Sequence, residues 1–132
     1  MRALVIMDDM TSLTHDLNGI RILELDRSGP PIGSERDAVD LISQAAENKA
    51  GIVALPSERM ATAFFELKTR VAGEMIQKFS IYGVRVAIVG DVSAAMTSSS
   101  AFRDFVRESN RGNIIWFVAD LEMLKLRLLS TA

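Results

Sequence analysis

Three short runs most constrain what this chain can become: Gly51 to Leu55 (GIVAL), Val84 to Val89 (VRVAIV) and Ile114 to Ala119 (IIWFVA). All are rich in β-branched or large apolar residues, and Arg85 is their only charged member. A strand with one wet face alternates apolar and polar residues, so runs without alternation predict strands covered on both faces. A polar turn and then a stretch with helical apolar spacing follow each run. Strand, helix and strand repeated in this way imply a parallel sheet with right-handed crossovers, an α/β domain.

The remaining elements follow from local chemistry. Ser34 with Asp37 three residues on resembles a capping box, and Ala38, Leu41, Ile42 and Ala45 then share one face, so a helix is expected to end between Asn48 and Gly51. Upstream, Arg2 to Met7 and Ile20 to Leu25 (IRILEL) read as strands, and Asn18-Gly19 is a turn signal. We expect an antiparallel β-hairpin at one sheet edge, followed by a loop from Arg27 to Gly33 where proline and glycine punctuate.

Pro56 to Tyr82 is long enough for one helix, but at 100° per residue Lys68 would fall inside the arc of Met60, Phe64, Met75 and Phe79. An ammonium in an apolar stripe is costly. The segment is therefore expected to break, with Thr69 as N-cap of a helix that turns Val71, Ala72, Met75, Ile76 and Phe79 inward. Phe64, Phe65 and Leu67 then plug the core from an ordered approach loop. Gly90-Asp91 opens a loop through three serines, one of which caps a helix with Ala101, Phe102, Phe105 and Val106 inward. Asn110-Arg111-Gly112 stops that helix, with glycine where a left-handed residue is common. Asp120 caps a last helix from Leu121 to Leu129. The expected fold is a mixed, mostly parallel five-stranded sheet with about four helices, one domain over residues 1–132.

At 132 residues a chain can bury a core without disulfides or metals. Its 48% apolar and 24% charged residues are ordinary for a globular domain. With no cysteine, disulfides, thiolate metal sites and thiol catalysis are excluded, and a cytoplasmic location is the expectation. The apolar run before Asp8 and Asp9 is too short for a secretion signal, and none approaches the roughly 20 residues that span a bilayer. No membrane association is expected. Net charge is −2, with the 15 basic residues dispersed among 17 acidic ones, which argues against a nucleic-acid surface.

The blocks FFELKTRVAGEMIQKF (Phe64 to Phe79), Tyr82, VAIVGDVS (Val86 to Ser93) and FRDFVRESNRG (Phe102 to Gly112) followed by WFVAD resemble the bacterial domain of unknown function 4180 family. The resemblance covers most of the chain from about Ile20 onward and implies no activity, cofactor or catalytic residue. Element order is also similar to the STAS domain of anti-sigma-factor antagonists and sulphate transporter tails. That likeness implies a phosphorylatable hydroxyl around Glu66 to Thr69, but Leu67 and Lys68 stand where that family has Asp-Ser-Ser-Gly, leaving Thr69 alone.

Candidate site residues each have a functional and a purely structural reading. Lys68, Thr69, Gln77 and Lys78, with Glu74, fall on the exposed side and ends of one helix, where Lys68 and Thr69 would hold a phosphate or a partner carboxylate. The alternative is a capping threonine and a solvated face. Asp91 follows the carboxyl end of a central strand, where open parallel sheets place ligands; it would take a ribose hydroxyl or a metal, or simply stabilise a turn. GDVSAAMTSSS lacks the second glycine and the lysine of a phosphate loop. In the cluster of Glu108, Asn110 and Arg111, Arg111 would clamp a carboxylate bidentately with Glu108 as its partner or as a base, or the group is a helix end with an i, i+3 ion pair, on the opposite side of the sheet from Asp91. His15 is expected in a polar turn with no placed nucleophile, and one histidine without cysteine does not favour zinc. Met60 and Met75 read as core filler.

These readings point to a non-enzymatic regulatory or interaction module, acting through the helix that starts near Thr69 and binding a protein partner or a second copy of itself. The alternative is a small-molecule binder or enzyme with a site near Asp91 and the Ser93 to Ser100 loop. No cofactor or metal is implied.

Overall fold

A computed structural model of the chain describes residues 12–130. It contains one five-stranded sheet in the order β1-β2-β3-β4-β5, with β1 Ser12–Leu17, β2 Ile20–Leu25, β3 Ile52–Pro56, β4 Arg85–Val89 and β5 Ile115–Val118. β1 and β2 are antiparallel, and every later pair is parallel. Among the described residues five helices accompany them: α1 Glu35–Asn48, α2 Val71–Ile81, α3 Ser93–Ser98, α4 Ser100–Arg111 and α5 Leu121–Ser130. The mixed, mostly parallel α/β sheet expected from the apolar runs is present.

The hairpin needs a correction. Asn18 and Gly19 form its two-residue turn with φ of 53° and 84°, the left-handed pair that suits the twist of flanking strands. Its first strand is Ser12–Leu17, paired from Ser12 opposite Leu25 to Leu17 opposite Ile20. β2 is flanked by β1 and β3, and the strand expected at Arg2 to Met7 lies outside the described residues. Composition hid β1, because SLTHDL has only two apolar residues and sits on an edge. His15 is therefore a strand residue, not a turn residue, and its Nε2 lies 2.8 Å from Glu24 Oε1.

Because β2 to β5 step one position at a time in the same direction, right-handed crossovers place their helices on one face. Leu23, Leu25, Val53, Leu55, Val86, Ile88, Ile115 and Phe117 face that layer and pack against α1, α2 and α4. Ile22, Ile52, Ala54, Ala87 and Trp116 point the other way, where α5 folds back with Leu124 and Leu128. Every residue of β3 is buried, as a run without alternation requires.

Helix boundaries follow the capping rules with four exceptions. Ser34 accepts the Asp37 amide at 3.0 Å, but the Asp37 carboxylate reaches back to the amide of Gly33 rather than closing the box on Ser34. Thr69 is not the N-cap of α2; that position is Arg70, with φ of 68°. The stretch taken for a loop after Asp91 contains α3, and Ser99 then caps α4 by accepting the Phe102 amide. Gly112 ends α4 with φ of −94°, an extended conformation open to any residue. Ala101 is exposed instead of inward, because Phe102 and Val106 centre the buried face of α4 one residue further round.

The break between Met60 and Val71 is as the charge of Lys68 demands. Three 3-10 turns, Ser57–Arg59, Thr62–Phe65 and Leu67–Thr69, replace a continuous helix and leave Lys68 exposed. Phe64 is 2% exposed and meets Phe65 edge-on at 5.5 Å, while Phe65 meets Phe102 at 5.6 Å. Rings of Phe105 and Phe117 complete the cluster. Met60 and Met75 are buried core residues.

Candidate functional site

β3 and β4 are adjacent and parallel, so their outgoing connections emerge side by side. The first is the 3-10 segment; the second is Gly90-Asp91 followed by α3. Strand order does not reverse between β2 and β5, so no crevice arises from a topological switch point. A groove of about 640 Å³ forms instead between the two connections. Phe65 and Leu67 line it from one side, and Ala94, Ala95 and Ala101 from the other. Their small side chains keep it open. Thr62, Glu66, Lys68, Ser98 and Ser99 supply its polar groups.

This groove joins Lys68 to the Ser93 to Ser100 loop, two features that are separate along the chain. Thr69 stands beside it with its hydroxyl engaged, 2.7 Å from the carbonyls of both Ala63 and Glu66 and accepting the Val71 amide at 3.3 Å. Those contacts tie the 3-10 segment to the start of α2. Ser99 is committed to the α4 cap, and the Ser98 hydroxyl donates to the Ala95 carbonyl at 3.3 Å.

Asp91 is exposed and accepts the Ser93 amide at 2.8 Å. The side chain and then the backbone of Ser93 hold its carboxyl below the ordinary aspartate value. This is the geometry of a turn that starts α3. Gln77 is exposed on α2, and Lys78 reaches across to the Glu35 carboxylate of α1 at 3.9 Å. Neither lines the groove.

Glu108 and Arg111 form an exposed ion pair at 3.2 Å on the last turn of α4, whose far end begins at the groove. Asn110 does something else. Its Oδ1 accepts the Phe117 amide at 2.7 Å and its Nδ2 donates to the Phe117 carbonyl at 3.3 Å, so the side chain occupies the outer edge of β5 as a neighbouring strand would. The structure thus brings Lys68 to the serine loop and leaves Gln77, Lys78, Asp91, Glu108, Asn110 and Arg111 elsewhere. Sequence reasoning missed Leu67, Ala94 and Ala95 as groove residues, since small and apolar residues give no chemical signal until packing makes a wall of them.

No histidine enters the groove. A smaller cavity of about 110 Å³ lies over the carboxyl ends of the strands on the other face, beside Glu24, Glu58, Gly90 and Asp120. Among the described residues no group of three or more histidine, cysteine or acidic side chains is placed to hold a metal, and no helix is long and apolar enough to cross a membrane.

Comparison with known proteins agrees with the blocks that carry the sequence resemblance. No curated protein and no solved structure matches the chain. One family does, described as Domain of unknown function (DUF4180), over residues 17–128. That span runs from the end of β1 to the buried Leu128 of α5, and so takes in every strand of the parallel sheet and both sides of the groove: the chain belongs to the DUF4180 family.

Proposed function

We propose that this chain is a non-enzymatic interaction module that receives an apolar anchor of a partner protein in the groove between the 3-10 segment and α3. The supporting observation is the make-up of that groove: an aromatic and aliphatic side against an alanine side, open to solvent, with Lys68, Glu66, Thr62 and two serines at its border. Such a surface binds by desolvating an inserted side chain while its border fixes orientation. Catalysis needs a base within hydrogen-bond reach of a nucleophile or substrate. The serine hydroxyls here are already engaged with the backbone. The similarity of element order to STAS domains is in keeping with this reading.

Ala94→Trp tests it. Ala94 is exposed, so the indole fills the groove without entering the core. A partner recovered from a lysate by the native chain should be lost with Ala94→Trp and weakened with Lys68→Glu, both variants keeping the native melting temperature. Equal recovery by all three rejects the groove as the site. The groove volume also lies within the range of small-molecule pockets, about 300 to 1,000 Å³, which favours a second reading as a metabolite binder. A ligand held only by the folded state raises the melting temperature, and Ala94→Trp should abolish that rise.

A further inference from the structure

A second groove, at the outer edge of the sheet and independent of the reading above, lies between β5 and α5, with Phe117 among its lining residues. It measures about 590 Å³ and is walled by Val118, Ala119, Met123 and Leu126, with Arg127 among its lining residues. α5 buries Leu124 and Leu128 against the sheet, yet Met123 and Leu126 remain 50% and 58% exposed. An apolar wall of that kind, left open on a surface helix, signals an occupant.

The cationic end gives the occupant its charge. Trp116, 1% exposed, carries two guanidinium groups: that of Arg127 lies 4.0 Å from its ring centroid and that of Arg85 lies 4.5 Å from it. The two cations therefore cannot be farther apart than the sum of those distances. Arg127 donates to the Asn110 carbonyl and Arg85 to the Asn113 carbonyl at 2.9 Å, contacts that use few of the five N–H groups each possesses. Among the described residues, the ion pairs of His15, Arg21, Lys78 and Arg111 account for the carboxylates in contact with a cation, and neither Arg85 nor Arg127 has one. Burial, and then the charge of Arg127, lower the pKa of Arg85. Two like charges over one indole call for an anion.

The β5 edge decides what kind of molecule carries it. A peptide lying along β5 would need the amide and carbonyl of Phe117, and Asn110 already holds both. Apart from Ser130, the groove offers apolar contact along its length, and Arg127 supplies positive charge. We propose that it binds an aliphatic carboxylate, with the hydrocarbon chain along Met123 and Leu126 and the carboxylate at Arg127, the cation that lines the groove, with the charge of Arg85 close to it beside Trp116.

Decanoate, kept below its micelle concentration, tests this on the full chain, with Trp116 as reporter because it is the only tryptophan. Saturable, one-to-one binding should appear in both tryptophan fluorescence and titration calorimetry. Decanol, with a similar chain but no charge, should bind about tenfold more weakly or worse, the effect of losing a charge-assisted contact. Arg127→Gln should reduce decanoate affinity by a similar factor and leave decanol unchanged. Leu126→Glu, at an exposed position, should abolish both without moving the melting temperature. Equal binding of decanoate and decanol, native affinity in Leu126→Glu, or no saturation at millimolar concentration overturns the proposal. So does binding of an apolar peptide with a free carboxyl end in place of decanoate, or a dimer that Leu126→Glu converts to monomer, since either result assigns the face to a different occupant.

Discussion

Replacing Asn110 with alanine removes both hydrogen bonds on the outer edge of β5 at once. Phe117 is 8% exposed, so water has little access to the groups left behind. The amide, now paired at 2.7 Å, becomes an orphaned buried donor, which costs about 1 to 3 kcal/mol. Its carbonyl loses a longer contact of 3.3 Å and keeps a second lone pair, so its share is smaller. Alanine regains about 0.5 kcal/mol as a better helix former in the last turn of α4. The net loss is about 2 kcal/mol, or a fall in Tm of roughly 6 to 10 °C for a domain of this size. Urea unfolding should show the loss as a lower midpoint at unchanged slope, and hydrogen exchange at the Phe117 amide should accelerate. A loss below about 0.5 kcal/mol, or unchanged exchange at Phe117, would refute the reading of Asn110 as an edge-capping residue and return it to the list of binding candidates.

Phe64→Ala should cost about 3 to 5 kcal/mol by chemical denaturation, because a buried ring leaves a cavity; Phe65→Ala should cost clearly less, since its ring already borders the open groove, and equal losses would contradict that placement. Gly90→Ala combines a φ of 141° with a Cβ that would strike the Ser57 side chain, so a loss of about 1 to 3 kcal/mol is expected, and a neutral result would deny the close approach of the two connections. Asp16 and Asp91 are both held below the ordinary aspartate value, Asp16 by its hydrogen bond to Arg21 and Asp91 by Ser93. A carboxyl depressed in the folded state adds stability that is present above the ordinary carboxylate range and disappears as pH falls through the folded value, because the unfolded chain takes up the proton first. Thermal scans from neutral pH down to about pH 3 should therefore show a shallower decline for the Asp16→Asn, Asp91→Asn double variant than for the native chain.

Elements held by contacts near in sequence were legible. A capping serine, an Asn-Gly turn and three runs without polar alternation each report a local energy, and α1, the hairpin turn and the parallel strands formed where those energies put them. The break at Lys68 was legible for the same reason, since burying one ammonium outweighs the hydrogen bonds of a continuous helix. β1 was not, because an edge strand with one poorly covered face has no need of an apolar run. Nor was α3, whose six residues gain little from their own propensity and form between Asp91 and the Ser99 cap.

The amino-acid order alone determined that this chain is an α/β domain with strands buried on both faces and a lysine-bearing segment that cannot be helix throughout. Tertiary structure decided which residues meet. Strand order set the 3-10 segment beside α3, and the return of α5 left its apolar side open next to two arginines. Asn110, polar and near a helix end, looked like a binding residue until the edge of β5 was found beside it. The reason is physical: capping, turn formation and hydrophobic periodicity act over a few residues, whereas a groove is the gap between surfaces whose separation along the chain carries no energy until the sheet has formed.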